Sequence, residues 1–232
     1  TGTLYDAQGE LIVNIRGSEN RVSIPLAEIP QQVRNAFIAA EDLRFYEHRG
    51  IDIVRIFGAV VANLKSGGFS QGASTITQQL IRQSHLSNQK TIARKLEEVW
   101  LSVQLEQRAS KDEILEMYLN YIYFGNGAYG IQAAARTYFD VDADELTLTQ
   151  AAALAASIKA PSYYAPHVSA ENNRSRREYI LQTMREAGMI DSTAYEKAVG
   201  EPLALAKAEK VDTPYGWFVD AVLDEAETLL GL

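Results

Sequence analysis

Apolar residues recur three to four positions apart along most of the chain, which predicts a succession of amphipathic helices. The first helix is predicted to begin at about Gln31, because Pro30 before it suits the start of a helix. Later helices are predicted to start at a capping box at residues 110–113, at Ser169 and at Asp191 or Ser192, and Gly188 ends the arginine-rich helix that Ser169 begins. Two alanine-rich segments, residues 128–139 and 146–158, predict further helices, the second of them in the core. Residues 1–15 instead alternate like two short strands around a turn. The pattern predicts a mainly α-helical protein with a short β segment at its N-terminus.

The stretch EDLRFYEHRG, residues 41–50, places a charged side chain where the apolar pattern continues. Glu41 falls in line with Phe37 and Phe45, and His48 follows three residues after Phe45. Burial in such a stripe penalises the ionised form of a carboxyl group and raises its pKa toward the range of a general acid or base. The alternative is a structural glutamate satisfied by a helix N-terminus or an arginine. The stretch by itself leaves both interpretations open.

The next two segments differ in polarity. Residues 53–64 form a strongly apolar helical pattern, which fits either a core helix or a helix that lies against a membrane surface. Residues 71–83, QGASTITQQLIRQ, are rich in hydrogen-bond donors and poor in acids. Ser74 or Thr75 can cap a helix here, and the residues that follow on it are Gln78, Gln79 and Arg82. This helix is either a polar start that faces water or part of a binding site.

Residues 91–108 predict a long amphipathic helix. Its predicted core stripe consists of Ile92, Leu96, Val99 and Val103. Lys90, Arg94 and Glu98 fall four residues apart along another face. Such spacing is typical of ion pairs on a solvated surface, worth about 0.2–0.5 kcal/mol each. It also suits a cationic site for a phosphate with an acid beside it, and the spacing alone does not separate the two.

Composition argues against several classes of protein. A formal net charge of −8 is unlike that of a general nucleic-acid binder, which normally presents a basic face. Because the chain has no cysteine, it has no disulfide, thiolate nucleophile or zinc finger. No apolar run reaches the ~20 residues that a membrane-spanning helix needs. The histidines, His48, His85 and His167, form no metal-ligand pattern.

Five segments form a recognisable set of motifs when they are taken together and in order. They are EDLRFYEHRG, QGASTITQQL, RKLEE, KDEILEMYLNYIYFGNGAYG and LTLTQAAALAASIKAPSYYAP. This set resembles the motifs of the peptidoglycan glycosyltransferases, the family-51 module of class A penicillin-binding proteins, over most of residues 29–184. The departures from the family pattern are Ala73 for a glycine, Arg82 for a lysine and Gln150 for a glutamate. Neither catalytic carboxylate position, Glu41 or Glu98, departs from it.

The resemblance implies a lysozyme-like fold with a large head lobe and a small, membrane-facing jaw lobe at roughly residues 50–90. The apolar residues 57–64 would then touch the membrane. It also implies that residues 1–29 are a β-hairpin and linker that follow a membrane anchor, and that residues 30–210 are the glycosyltransferase domain. Residues 211–232 would begin a linker toward a transpeptidase domain. The expected location is the extracytoplasmic face of a bacterial cell membrane, with the native protein anchored by an N-terminal helix absent here.

Members of this family polymerise lipid II into β-1,4 glycan strands with inversion and release undecaprenyl pyrophosphate. By the resemblance, Glu41 is the general base, and Glu98 with a basic cluster assists the pyrophosphate leaving group, which needs charge stabilisation more than protonation. The residues expected to bind substrate are Asp42, Phe45, His48, Ser74, Thr75, Gln78, Gln79, Arg82, Lys90, Arg94 and Lys95. Inhibition by moenomycin, a phosphoglycolipid mimic of the donor, is expected as well.

No tightly bound cofactor is expected. A divalent cation at the pyrophosphate, Mg²⁺ or Mn²⁺, is the metal that the resemblance allows, with Glu98 as its candidate ligand. The expected partners are lipid II, the growing glycan strand, the membrane surface through the jaw and a wall-synthesis complex, with no nucleic acid.

Two alternatives remain in other classes. One is a lysozyme-like peptidoglycan hydrolase or lytic transglycosylase, which can also depend on a key glutamate. The basic cluster and the STITQQ segment favour the transferase, because a hydrolase has no pyrophosphate to bind. The other is an inactive scaffold within a wall-synthesis complex, against which the intact Glu41 and Glu98 weigh.

Overall fold

A computed structural model of the chain describes residues 2–5, 11–15, 20–58, 74–85 and 91–206. The chain divides into two compact units, one of Thr1–Ser18 with Lys207–Leu232 and one of Glu19–Ala206. The described part of the first is an antiparallel hairpin of β1 (Gly2–Tyr5) and β2 (Leu11–Ile15), which confirms the predicted strands. The second contains the described helices and every described candidate site residue. The domain boundaries predicted from the sequence stay a prediction.

The second unit is built mainly of helices, as the sequence predicts. Those with both ends inside the described residues are α1 (Gln31–Glu41), α2 (Ile76–His85), α3 (Ile92–Glu106), α4 (Lys111–Tyr121), α5 (Ile131–Phe139), α6 (Leu148–Ser157), α7 (Pro161–Tyr164), α8 (Ala170–Glu186) and α9 (Ser192–Gly200). Residues 53–58 are helical as well. The predicted capping box before α4 is present, with Ser110 and Glu113 bonded to each other's backbone. Within the described residues, no helix is both apolar and long enough to span a bilayer.

The core is centred on α6, which packs against α1 and α8. Its alanine-rich sequence explains this position, because small side chains let the neighbouring helices approach closely while every one of residues 151–156 is 0% exposed. The prediction of a core helix here is confirmed. Gln150, the departure from the family's glutamate, accepts a hydrogen bond from the backbone N–H of Thr147 at 2.9 Å and completes the helix cap. Glutamine serves this cap as glutamate would.

A small sheet lies beside the helices. It contains β3 (Asn20–Arg21), β4 (Tyr123–Gly125) and β5 (Ala128–Tyr129) in the order β3-β5-β4. The sequence predicts a helix that begins at Ala128, and this predicted start is wrong. Helix α5 begins only after Gly130, whose φ is 82°. A side chain at Gly130 would lie 2.6 Å from the carbonyl oxygen of Asn120, so a glycine is needed at this turn.

The core stripe predicted for α3 is wrong in its first half. Ile92 and Leu96 are 83% and 65% exposed, whereas Glu98 and Ser102 are 0% exposed. Helix α3 packs the side that carries Glu98 and Ser102 against the rest of the protein. The side that carries Ile92 and Leu96 is therefore exposed to solvent. Gly50 packs against the same side, where an added Cβ would lie 2.9 Å from the carbonyl oxygen of Ser102. Periodicity identified the helix but not the face that the rest of the chain covers.

Candidate active site

Glu41 is the last residue of α1, and its carboxylate is contacted from two other helices. Its Oε2 accepts a hydrogen bond from Nε2 of Gln79 on α2 at 2.7 Å, and its Oε1 lies 3.5 Å from Nη2 of Arg176 on α8. Arg55 donates to its backbone carbonyl. Burial raises the pKa of Glu41, although the Gln79 bond and the charges of Arg176, Arg55 and Lys159 act in the opposite direction. The predicted desolvated carboxyl group is confirmed.

Gln79 is oriented by Tyr118 of α4. The Tyr118 hydroxyl donates to Oε1 of Gln79 at 3.4 Å, so the amide nitrogen is turned toward Glu41. Tyr118 is 0% exposed. Its burial, and then the nearby charge of Glu41, hold its pKa well above the ordinary value of 10.0, so it remains a donor. The three side chains form a directed chain of donors that ends on the carboxylate.

Asp42 and His48 lie inside the protein behind Glu41. Nε2 of His48 lies 2.9 Å from Oδ2 of Asp42, which also accepts from the backbone N–H of Ile76 at 3.1 Å. Asp42 is 1% and His48 8% exposed, while Phe45 is 0% exposed and packs edge-on against the histidine ring. The helical pattern also breaks here, since α1 ends at Glu41 and Phe45 lies in a separate 3-10 turn. In this structure the three side chains tie the end of α1 to the start of α2.

Thr75 and Gln78 form the N-terminal cap of α2. The N–H of Thr75 donates to Oε1 of Gln78 at 3.0 Å, and the N–H of Gln78 donates to Oγ1 of Thr75 at 3.2 Å. The Thr75 hydroxyl then donates to the carbonyl of Gly50 at 2.7 Å. The two side chains are 0% and 3% exposed, so the interpretation of this segment as a polar helix start facing water is wrong. Thr75, rather than Ser74, is the cap.

Glu98 lies beneath a pair of cations on α3. Nη1 of Arg94 lies 3.4 Å from its Oε2, and the ammonium of Lys95 donates to its Oε1. Nζ of Lys95 also lies 3.3 Å from Oγ of Ser74. Glu98 is 0% exposed, so the interpretation as a solvated surface ion pair is wrong. The Lys95 side chain is 44% exposed and that of Arg94 17%, which leaves both cations able to reach an anion from outside.

Helix α2 connects the two acidic positions. Ser74 contacts Lys95 just before the helix, and Gln79 contacts Glu41 five residues later. At 1.5 Å per residue, this separates the two contacts by on the order of 7 Å along the helix. Arg82 follows one turn after Gln79 and is partly exposed, and its charge acts on Tyr118. Lys90, the remaining cation of the predicted cluster, lies outside the described residues.

The site residues predicted from the sequence do not include the cations whose charges act on Glu41. They are Arg55, Lys159 and Arg176. Two of them flank the Tyr164 ring, with the guanidinium carbon of Arg176 5.5 Å and Nζ of Lys159 5.8 Å from its centroid. Arg176 belongs to an arginine-rich helix that the sequence predicts, but 135 residues separate it from Glu41. No periodic signal links residues so far apart.

The atoms around Glu98 do not form a binding site for a divalent cation. Both of its carboxylate oxygens are already engaged by positive side chains, Arg94 and Lys95. A hard divalent cation needs several oxygen ligands. In the part of the chain that the structure describes, no group of three His, Asp or Glu side chains is placed to hold a metal ion. The cation stays a prediction, and no catalytic step is derived from it.

Comparisons with known proteins find similar chains along most of the sequence. A family model described as Transglycosylase matches residues 8–185. The chain is 47% identical over 235 residues to penicillin-binding protein 1A/1B of Bacillus subtilis (strain 168), covering 98% of this chain and 26% of that protein. It is 42% identical over 236 residues to penicillin-binding protein 1A of Streptococcus oralis, covering 98% of this chain and 37% of that protein.

A solved structure is similar along nearly the whole chain. It is the 2.6 Å crystal structure of penicillin-binding protein 1A from Haemophilus influenzae, with a TM-score of 0.60 and 25% sequence identity over 99% of this chain and 24% of that one. The chain thus spans roughly a quarter to a third of the length of these relatives. The family match covers well over half of the chain and includes Glu41, Glu98 and the helices that contact them. The chain belongs to the Transglycosylase family.

Proposed function

We propose that this domain is a peptidoglycan glycosyltransferase that polymerises lipid II into β-1,4 glycan strands with inversion. The observation that carries the proposal is the Glu41 carboxylate, which is largely buried, raised in pKa and oriented by Gln79. The cations paired with the buried Glu98 contact the other end of the same helix, through Ser74 just before α2. A base and an anion site along one helix suit transfer of a sugar from a pyrophosphate carrier.

In the proposed reaction Glu41 is the general base. The 4-hydroxyl oxygen of the acceptor sugar attacks the anomeric carbon of the donor, and its proton passes to the Glu41 carboxylate. The bond from the anomeric carbon to the pyrophosphate oxygen breaks on the opposite face, which inverts the configuration. A desolvated carboxylate is a stronger proton acceptor than one in water. The bond from Gln79 and the charge of Arg176 favour its ionised state and limit its rotation.

The pyrophosphate leaves with the bonding electrons and needs positive charge. Arg94 and Lys95 supply it. The family resemblance adds Arg82, whose charge acts on Tyr118, and Lys90, which lies outside the described residues. Glu98 acts through its ion pairs to both side chains, which hold them in position before substrate arrives. Ser74, which contacts Lys95, is the hydroxyl placed to bond a phosphate or sugar oxygen beside it. Asp42, His48, Thr75 and Gln78 would support the site from within rather than contact the substrate.

Lipid II implies a membrane surface, and the exposed apolar residues support such a contact. On residues 53–58, Ile53, Val54 and Phe57 are 62%, 61% and 68% exposed. On α3, Ile92, Leu96 and Trp100 lie four residues apart and are 83%, 65% and 61% exposed, and we call these three the apolar ridge. Exposed apolar groups of this density are typical of membrane or protein contacts. We place the domain at the extracytoplasmic face of the cell membrane, where a wall-synthesis complex would meet it.

Polymerisation of lipid II in detergent tests the proposal. The wild-type chain is expected to make glycan strands, and Glu41→Gln to lose about 10²–10⁴-fold in kcat while it still binds a donor analogue. Glu97→Gln, a neighbour of Glu98 on the exposed side of α3, is the matched control and should retain activity. Saturating moenomycin is expected to block turnover. If wild type leaves lipid II untouched but cleaves finished peptidoglycan, the hydrolase alternative replaces this proposal.

A further inference from the structure

A cavity separate from the Glu41 site lies against α8. It has a volume of about 400 Å³, within the usual range of small-molecule sites. Its walls come from the first half of α8, the end of α9 and the segment that follows α9. Two consecutive arginines of α8 face different sites. Arg176 contacts Glu41, and Arg177 lines the cavity.

Arg177 is the unusual member of this lining. It is only 6% exposed, and its buried Nε has no hydrogen-bond partner. Among the residues that the structure describes, none forms a hydrogen bond or an ion pair with this guanidinium. Burial lowers the pKa of Arg177, while the charges of Glu178 and Glu201 act in the opposite direction. A largely buried guanidinium that no described residue bonds is well suited to hold an incoming anion.

The other charges of the cavity limit what that anion can be. Arg174 already pairs with Glu178 at 2.8 Å. Glu201 accepts a hydrogen bond from the Thr149 hydroxyl at 2.8 Å and contributes a negative charge to the same wall. Arg174, Arg177 and Glu201 line the cavity, and Glu178 beside it offsets the charge of Arg174, so positive and negative charges balance before a ligand binds. A single negative charge can be held by the Arg177 fork, whereas a phosphate dianion would be repelled more strongly by the Glu201 carboxylate.

The remaining lining is apolar. It consists of Pro166, Ala170, Val199, Pro202, Leu203 and Leu205. A ligand with an aliphatic body would remove this surface from water, at about 25 cal/mol per Å² buried. Guanidinium and carboxylate groups match in a planar, two-bond geometry. We propose that the Arg177 cavity binds a small aliphatic monocarboxylate, with its carboxylate on the guanidinium and its apolar body against the α9 side.

Calorimetric titration of the full chain with N-acetyl-leucine tests this assignment. N-acetyl-leucinamide has nearly the same shape without the charge, and it should bind at least tenfold more weakly. Arg177→Gln should also weaken binding of the acid at least tenfold. Arg174→Lys, which keeps the charge on the same wall that pairs with Glu178, should stay within about twofold of wild type. Equal binding of acid and amide, unchanged binding by Arg177→Gln, or no binding of the acid at 20 mM overturns the proposal.

Thermal unfolding separates a binding role from a structural one. Because no described residue pairs with Arg177, Arg177→Gln is expected to keep or raise the Tm. Saturating N-acetyl-leucine should raise the Tm of wild type and of Arg174→Lys but not that of Arg177→Gln. A clear fall in Tm for Arg177→Gln, with the same ligand response as wild type, would assign Arg177 to the fold and reject the site. Neither readout depends on lipid II turnover.

Discussion

Gln79 donates a 2.7 Å hydrogen bond to the Glu41 carboxylate from a helix that begins 35 residues later in the chain. The bond joins the end of α1 to the first turn of α2. The Tyr118 hydroxyl donates to the amide oxygen of Gln79, and this fixes the orientation of the amide. The amide nitrogen therefore points toward Glu41. The orientation of Glu41 therefore depends on three helices at once, and the predictions below test that dependence.

Gln79→Leu is expected to lower kcat for lipid II polymerisation by about 10–100-fold, because the carboxylate loses its orienting donor. KM should change little if Gln79 acts through Glu41 rather than on substrate. The lost hydrogen bond also raises the pKa of Glu41 further, so the acid limb of the rate profile should move to higher pH. Gln83→Leu, an exposed position one turn on, is the control. An unchanged acid limb would contradict the assignment.

Glu41→Gln is expected to stabilise the protein at neutral pH. The pKa of Glu41 is raised above its ordinary value of 4.5 on folding, so the folded state binds more protons than the unfolded state between the two pKa values. Stability from this group is full below the unfolded pKa and is lost as pH rises through the folded pKa. The gain in Tm, about 2–4 °C per kcal/mol for a domain of this size, should therefore shrink as pH falls toward 4. If Glu41→Gln is less stable than wild type at pH 8, the predicted stabilisation is wrong.

Glu98→Gln is expected to reduce both stability and activity. Removing the acid leaves Arg94 and Lys95 without their shared partner, which should cost about 1–3 kcal/mol. This is less than for a fully buried pair, because the Lys95 side chain is 44% exposed. We expect a loss of about 10–100-fold in kcat/KM, since the cations are no longer held for the pyrophosphate.

Chemical denaturation and the polymerisation assay measure the two effects of Glu98→Gln. Glu97→Gln changes the same charge on the exposed side of α3 and should change neither. If Glu98→Gln loses stability but keeps full activity in the folded protein, the acid supports the fold alone.

Leu96→Ser is expected to weaken binding of the chain to phosphatidylglycerol vesicles without lowering the Tm. Leu96 is 65% exposed in the middle of the apolar ridge, so its truncation removes no core contact. Transfer of a leucine side chain from water is worth about 1.5–3 kcal/mol, which corresponds to roughly tenfold or more in affinity. Val168→Ser, 50% exposed and distant in sequence from the ridge, is the control in a co-sedimentation assay. If both variants bind vesicles equally well, the apolar ridge does not take part in membrane contact.

Local features of the sequence predicted most of the helices correctly. The caps at Ser110, Ser169 and Asp191 and the turn at Gly188 act within a few residues, so they are readable without knowledge of the fold. The helix predicted from Ala128 failed, because residues 128–129 pair with β3 and β4, and pairing partners are not visible locally.

The candidate site divides in the same way. The order of five motifs identified the family correctly and singled out Glu41 and Glu98 as candidate acids, because the chemistry of a site restricts its residue types even when the fold is unknown. The sequence did not distinguish side chains that face the cleft from those that hold each other. Asp42 with His48, and Thr75 with Gln78, satisfy one another inside the protein, and only their three-dimensional neighbours reveal it.

The pattern of residues along the chain was enough to predict a mainly helical member of this family and to single out Glu41 and Glu98 as candidate catalytic acids. The folded structure was needed to show that Arg176 meets Glu41 across 135 residues and that α3 buries Glu98 while exposing Ile92. The physical reason is that helix formation depends on neighbours in the chain, whereas burial, charge pairing and pKa depend on whichever side chains packing brings together. Those partners come from separate helices, and no local pattern records them.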